Sequence, residues 1–177
     1  MKNAAGSTVY LFELPGENPM AWLASVIVKA PDDRVFNTVL DPRFDVRSAA
    51  LFDTAATVSA QTVSALPAPL STKVTVTSYA PGRITLRLDS PAPAGSALVV
   101  SENYYPGWQA TVNGREAKVG RADYTLIGVE LPEGAQTIEM RFDSASYHTG
   151  KTITLVALVV AVVWWLAGAF ADRRSRV

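Results

Sequence analysis

The sequence predicts a mainly β protein: an antiparallel β-sandwich of jelly-roll type, a small N-terminal α+β block and one C-terminal transmembrane helix. Apolar and polar residues alternate in residues 83–89 and 138–142, as in strands with one solvent-exposed face. Turn signals recur at close spacing, and the dipeptide Asn113-Gly114 is a strong hairpin signal. Residues 152–170 contain no charge and no proline, and they are long enough to cross a bilayer.

Residues 1–54 are expected to form the α+β block. Asp32 and Asp33 precede an apolar stripe, which predicts a short helix over residues 33–40 with an aspartate as its cap. Segments rich in aromatic and β-branched residues indicate strands at residues 7–14, 22–29 and 49–52.

The remaining soluble part divides by composition. Residues 55–71 are poor in charge and contain Pro67 and Pro69, which indicates a linker or an edge segment. Residues 72–148 are predicted to form the antiparallel β-sandwich, because short strands alternate there with turn residues. Its strands are expected around residues 74–76, 83–89, 97–101, 108–112, 116–119, 124–131 and 138–142, with 124–131 central because both of its faces are apolar.

A transmembrane helix is predicted over residues 150–171. Its length matches the roughly 30 Å hydrocarbon core at about 1.5 Å per residue. Thr152 and Thr154 are tolerated there because their hydroxyls can donate to carbonyls of the same helix. A buried core helix is the alternative, but a core helix normally has one polar face and this segment has none.

The flanking charges predict the orientation. Three arginines lie in the tail, residues 172–177, so the positive-inside rule places the tail in the cytoplasm and the β-domain outside the membrane. A tail-anchored protein with a cytoplasmic domain is the alternative, and the arginines argue against it. The expected membrane anchors are Trp164, Trp165, Arg173, Arg174 and Arg176.

The N-terminal sequence bears on how the domain would reach the outside. Residues 1–30 show no basic segment followed by a long apolar run, as a secretory signal would. We therefore expect the chain to be the C-terminal part of a larger multi-span membrane protein, with the upstream transmembrane region and the lipid bilayer as its partners.

Composition excludes several function classes. Lys plus Arg and Asp plus Glu both number 16, which argues against nucleic-acid binding. The chain has no cysteine and a single histidine, His148, which excludes thiolate zinc sites and multi-histidine metal sites. No catalytic, cofactor-binding or metal-binding residue is predicted.

The segment Tyr104-Tyr105-Pro106-Gly107-Trp108 is the richest local feature. Tyr104, Tyr105 and Trp108 are candidate glycan contacts, because aromatic rings pack on the apolar faces of sugars. The alternative is that Trp108 anchors the core, and its alternation with Ala110 and Val112 favours that interpretation. One of the two tyrosines is then the better candidate for exposure.

Residues 101–115, SENYYPGWQATVNGR, are followed in order by Leu131-Pro132-Glu133-Gly134, by Phe142-Asp143 and by the apolar helix. This order resembles the C-terminal region of the YfhO family of bacterial membrane proteins. The resemblance implies a bacterial cell membrane location and a parent protein similar to GT-C glycosyltransferases, which use lipid-linked sugars. The many-helix region that carries the catalytic acid in those enzymes has no counterpart in these residues, so the resemblance implies a chain that is not catalytic by itself.

The leading expectation is an extracytoplasmic accessory domain with the last transmembrane helix of such a protein, either structural or recognising a glycan, a lipid-linked sugar or another acceptor. A stand-alone membrane-tethered carbohydrate-binding module is the main alternative. A self-contained enzyme is the third.

Overall fold

The computed structural model describes residue 2, residues 4–10 and residues 18–174, with side chains described as far as residue 165 in the last helix. Within these residues the chain forms two β-sheets and two helices. In chain order the elements are β1 (Ala21–Ala24), β2 (Val26–Ala30), α1 (Asp32–Val39), β3 (Ala49–Asp53), β4 (Val74–Ala80), β5 (Arg83–Ala92), β6 (Ala97–Asn103), β7 (Trp108–Val112), β8 (Arg115–Ala117), β9 (Val119–Ala122), β10 (Leu126–Glu130), β11 (Ala135–Phe142) and α2 (Ala145–Arg174).

The two sheets pack face to face, which confirms the mainly β, sandwich-like prediction. The first sheet has the strand order β1-β6-β10-β9-β3-β2, and the second has the order β4-β5-β11-β7-β8. Alternate residues of β5, β7 and β11 point inward against β6 and β10, so the period-2 pattern identified the buried face correctly. The core between the sheets includes Leu23, Ile84, Leu86, Leu98, Val100, Val112, Ile127, Val129, Ile138 and Met140.

One strand pair is parallel, and it lies within residues 1–54, the predicted α+β block. Strands β2 and β3 run parallel, and α1 forms the crossover between them. Parallel neighbours cannot be joined by a tight turn, so a crossover helix is the usual connection. Val35 of α1 is buried against Val26 and Leu51 of this pair.

The single strand predicted over residues 22–29 is wrong. Ser25 divides it into β1 and β2, which lie at opposite edges of the first sheet. The Ser25 N–H donates to the Arg47 carbonyl at 3.0 Å, and the Ser25 hydroxyl donates to the Ala68 carbonyl at 2.7 Å. Because Ser25 alone separates β1 from β2, the sheet must curve until these two edge strands come together.

The curved first sheet packs around the side chain of Phe52. Strand β3 meets β9 through a single register pair, Phe52 and Ala122, and Phe52 is fully buried. A Cβ atom on Gly128 would overlap the Phe52 ring, so the ring occupies the space that the missing side chain leaves. The first sheet thus contains strands from both residues 1–54 and residues 72–148, and the domain boundary at 55–71 stays a prediction from composition.

The segment 55–71 contains no strand. Its Val58 is buried in the same cluster as Phe52, and the Gln61 N–H donates to the Ile27 carbonyl at 2.9 Å. Part of this segment therefore lies beside β2, at the edge of the first sheet.

Two N-terminal predictions need correction. Residues 7–10 form no strand apart from an isolated bridge between Thr8 and Lys2, and residues 11–14 lie outside the described residues. Helix α1 has Pro31 at its N-cap and no side-chain cap bond. Asp32 does not cap the helix, because its carboxylate is paired with Arg121.

Helix α2 begins five residues before the predicted start at residue 150 and contains a stretch, Ala145–Trp165, that is long and apolar enough to span a membrane. Ser144 begins the helix by accepting the Tyr147 N–H through its hydroxyl at 3.3 Å. Thr152 and Thr154 donate to carbonyls four residues earlier, as predicted.

The described side chains of α2 are not buried against the β-domain, which argues against a core helix. Trp164 and Trp165 are 78% and 70% exposed, and their role as membrane anchors stays a prediction. Arg173 and Arg174 belong to the last turn of the helix, whereas Arg176 lies outside the described residues.

Candidate functional site

A polar groove of about 860 Å³ runs across the outer face of the second sheet. Strands β5, β11, β7 and β8 form it, and their outward residues are polar because they alternate with the core residues. The polar side chains that line the groove are those of Arg83, Thr85, Gln109, Thr111, Glu116, Glu139 and Arg141.

The first row of the groove is basic. Strand register places Arg83, Arg141 and Gln109 side by side on three adjacent strands. The Arg141 guanidinium donates to the Gln109 side-chain oxygen at 3.0 Å and lies 3.8 Å from the Asp143 carboxylate. This row therefore presents guanidinium and amide donors toward the open groove.

The next row provides hydroxyl and carboxylate groups. Thr85, Glu139 and Thr111 are register partners on β5, β11 and β7, and Glu116 of β8 lies opposite Thr111. Neither Glu116 nor Glu139 forms an ion pair within the described part of the chain. Their oxygens are free to accept hydrogen bonds from a ligand that carries hydroxyl groups.

The structure separates the three aromatic residues that the sequence singled out. Tyr104 is partly buried and packs against the core, whereas Tyr105 is 59% exposed. Trp108 packs against the core and is also among the residues that line the groove. The Trp108 ring lies 5.6 Å from the Phe142 ring, so a neighbouring strand fixes its position.

The turn before Trp108 joins the groove to the start of α2. The Trp108 N–H donates to the Tyr105 carbonyl at 3.4 Å, and Gly107 has a φ of 122°, a positive value that glycine adopts readily at this position of a turn. A Cβ on Gly107 would lie 2.8 Å from the Asp143 carbonyl, so this close approach needs glycine. Asp143 also contacts the His148 ring nitrogen at 2.6 Å, which ties the end of the sheet to the first turns of α2.

A second polar cluster lies on the first sheet, and no pattern in the sequence predicts it. Arg121 forms ion pairs with Asp32 at 2.7 Å and with Asp53 at 3.3 Å, and its guanidinium stacks over the Tyr124 ring. Hydrogen bonds to Asp32 raise the pKa of Arg121. Since these pairs join α1, β3 and β9, the cluster stabilises the packing of the N-terminal elements.

Asp123 lies next to this cluster and is 4% exposed. Its Oδ1 accepts the Leu51 N–H, whereas its Oδ2 has no partner. Burial raises the pKa of Asp123 to about 6, against the lowering effect of the Leu51 bond. The described residues contain no group of three or more acidic or histidine side chains that could hold a metal ion.

The family model described as bacterial membrane protein YfhO matches residues 56–154. The chain belongs to the YfhO family. That match contains every strand of the groove, whereas β1, α1 and β3 precede it. Membership in this family, together with the apolar helix α2, supports association with the bacterial membrane.

A curated relative supports the same assignment. The chain is 33% identical over 61 residues to the uncharacterized protein YfhO of Bacillus subtilis (strain 168). The aligned part is 34% of this chain and 7% of that relative, so the chain spans a small fraction of the relative's length. No solved structure matches the chain.

Proposed function

We propose that this part of a YfhO protein is an extracytoplasmic accessory domain that holds a glycan beside the membrane and does not itself catalyse transfer. The observation that carries the proposal is the groove on the second sheet, where two rows of polar side chains lie side by side on adjacent strands. Its volume of about 860 Å³ lies within the usual range for ligand pockets, roughly 300–1,000 Å³.

The chemistry of the groove fits a sugar. Each hydroxyl of a sugar can both donate and accept hydrogen bonds, so a sugar site needs protein donors as well as protein acceptors. Glu139 and Glu116 supply acceptors, Arg83 and Arg141 supply donors, and the Thr85 and Thr111 hydroxyls supply both. Tyr105 is exposed on the turn that leads into β7, where its ring is available to stack on a sugar face.

The position of the domain fits a role in holding an acceptor. Only Asp143 and Ser144 separate the last strand from α2, so a glycan in the groove stays close to the bilayer. We assign the chemical step to a region of the longer protein outside this chain. The arginines after α2 support an extracytoplasmic β-domain through the positive-inside rule. Family membership favours this assignment over a free-standing carbohydrate-binding module.

The test is glycan titration of the full chain in micelles of a polyoxyethylene detergent, which carries neither sugar nor phosphate. Neutral oligosaccharides are added while backbone and side-chain amide signals are followed by NMR. We expect shifts at Gln109, Thr111 and Glu139, and weaker binding by the variants Glu139→Gln and Tyr105→Ala.

The matched control is Glu133→Gln, which removes one carboxylate from an exposed turn outside the groove. It should bind as the unmodified chain does. If none of the oligosaccharides binds, the glycan role is wrong and the domain has only a structural role, as a cap on the membrane region.

A further inference from the structure

We infer that the Arg83–Arg141 end of the groove is an oxyanion site, which binds a phosphate or carboxylate group carried by the ligand. The inference rests on the proposed function and narrows it, because it makes the ligand an anionic glycan. It is carried by strand register, by the partners of the two arginines and by the shape of the groove.

Register places Arg83 directly opposite Arg141 on adjacent antiparallel strands. Side chains in such pairs have Cβ atoms about 5 Å apart, and like charges there destabilise the sheet. An anion between two guanidinium groups removes this repulsion and receives hydrogen bonds from both. Arginine suits the task because its planar fork donates to two oxygens of one phosphate or carboxylate.

The two arginines lack strong anionic partners of their own. The side chain of Arg83 makes no hydrogen bond or ion pair in the described part of the chain. Arg141 is bonded to the neutral Gln109, and its contact with Asp143 is long, at 3.8 Å. Asp143 is also shared with His148 at 2.6 Å.

The acidic side chains of the groove do not neutralise this end. Glu139 lies two residues from Arg141 on β11, about 7 Å along the strand. The groove therefore has a basic end at Arg83 and Arg141 and an acidic row beside it. A sugar with one anionic substituent matches this arrangement, since the anion meets the arginines while the hydroxyl groups meet Glu139 and Thr111.

Two sources supply this chemistry. The oxyanion is either a substituent of a glycan or the phosphate of a lipid headgroup, because Arg141 lies only four residues before the first residue of α2. The glycan source is the one inferred here, since the groove extends beyond the arginine pair along Thr111 and Glu116.

The experiment compares four probes on the full chain in polyoxyethylene micelles: a neutral oligosaccharide, its phosphorylated derivative, inorganic phosphate and dihexanoyl phosphatidylglycerol. Binding is followed through the arginine Nε–H signals. The variants are Arg83→Gln, Arg141→Gln and the double variant, and the control is Arg115→Gln. Arg115 is exposed on the same sheet and does not line the groove.

We expect the phosphorylated oligosaccharide to bind about tenfold more tightly than the neutral one, because charge-assisted hydrogen bonds are the stronger kind. Each single Arg→Gln variant should weaken binding of the phosphorylated probe about fivefold, and raised salt should weaken it further. Arg115→Gln should have no effect. Circular dichroism of each variant checks that the sheet is intact.

The other outcomes separate this inference from the proposed function. Equal affinity for the neutral and phosphorylated oligosaccharides would overturn the oxyanion site and leave glycan binding standing. Arginine-dependent binding of inorganic phosphate or phosphatidylglycerol, with no binding of either oligosaccharide, would support the oxyanion site and overturn the glycan function. Binding of no anion at all would overturn the inference.

Discussion

The Asp123 carboxylate accepts the Leu51 backbone N–H at 2.9 Å, and the Asp123 N–H donates to the Leu51 carbonyl at 2.8 Å. This pair holds β3 beside the end of β9, where the register otherwise consists of Phe52 and Ala122 alone. The second carboxylate oxygen of Asp123 is buried without a partner. The junction between β3 and β9 therefore contains a carboxyl group that burial makes harder to ionise.

The first prediction is a pH dependence set by Asp123. Its pKa is about 6 in the folded chain, against an ordinary value of 3.8. The folded state holds this proton more tightly, so the stabilisation is fully present below pH 4 and is lost as pH rises through 6. The loss should amount to about 3 kcal/mol of unfolding free energy.

The variant Asp123→Asn tests this directly. An asparagine oxygen can still accept the Leu51 N–H, the residue tolerates the positive φ at this position, and the charge is gone. Urea unfolding in micelles, followed by circular dichroism, should show the variant to be the more stable protein at pH 8. The difference should shrink toward pH 4. Parallel pH profiles for the two proteins would contradict the assignment.

The second prediction concerns the space between Gly128 and Phe52. Gly128→Ala should lower the unfolding free energy by about 2 to 3 kcal/mol, because its methyl group would overlap the buried ring. Gly120→Ala is the milder comparison variant. Its Cβ would lie 3.1 Å from the same ring, so it should lower the unfolding free energy by less. Adding Phe52→Leu to Gly128→Ala should recover part of the loss. Without any recovery, the overlap would not be the cause.

The third prediction concerns the side chain of Asn113. Its oxygen accepts the N–H groups of Gln136 and Thr137, its amide donates to the Gly134 carbonyl, and its φ is 49°. Asn113→Gly allows the positive φ but lacks the side-chain hydrogen bonds, so it should lower the unfolding free energy by about 1 kcal/mol. Asn113→Ala lacks these bonds and also disfavours the positive φ, so it should lower the unfolding free energy by about 2 kcal/mol.

Amide hydrogen exchange distinguishes the two effects in these variants. Exchange at Gln136 and Thr137 should be faster in both variants than in the unmodified chain, because both lack the accepting oxygen. Unchanged exchange rates in Asn113→Gly would show that backbone conformation alone makes this residue important.

The fourth prediction is the sidedness of the membrane helix. The chain has no cysteine, so a single cysteine introduced at one site reports on that site alone. In intact bacterial cells, Gln136→Cys should react with a membrane-impermeant maleimide, whereas Ser175→Cys should react only after permeabilisation. The reverse pattern would place the β-domain in the cytoplasm.

The sequence carried enough information to identify the sandwich and the apolar helix. Alternation in β5 and β11 reports directly on which face is buried, because the side-chain period of a strand is independent of its neighbours. Turn chemistry at Asn113-Gly114 is equally local, and both residues have the expected positive φ. Such features follow from a few consecutive residues.

What the sequence did not reveal depends on distant partners. Nothing within residues 22–29 marks Ser25 as a break, because its partners, Arg47 and Ala68, come later in the chain. The same holds for the groove. Arg83 and Arg141 each read as ordinary solvent-exposed residues of their own strands, and only the pairing of β5 with β11 brings them together. Asp123 is buried for the same reason, because its partner Leu51 lies on β3, far away in the sequence.

The short connection between β11 and α2 limits where the domain can act. Asp143 and Ser144 span about 7 Å when fully extended, so the domain has no stalk on which to swing. It samples only a thin shell of space next to the bilayer. The orientation of the domain is therefore set by the tilt of the helix rather than by a flexible linker.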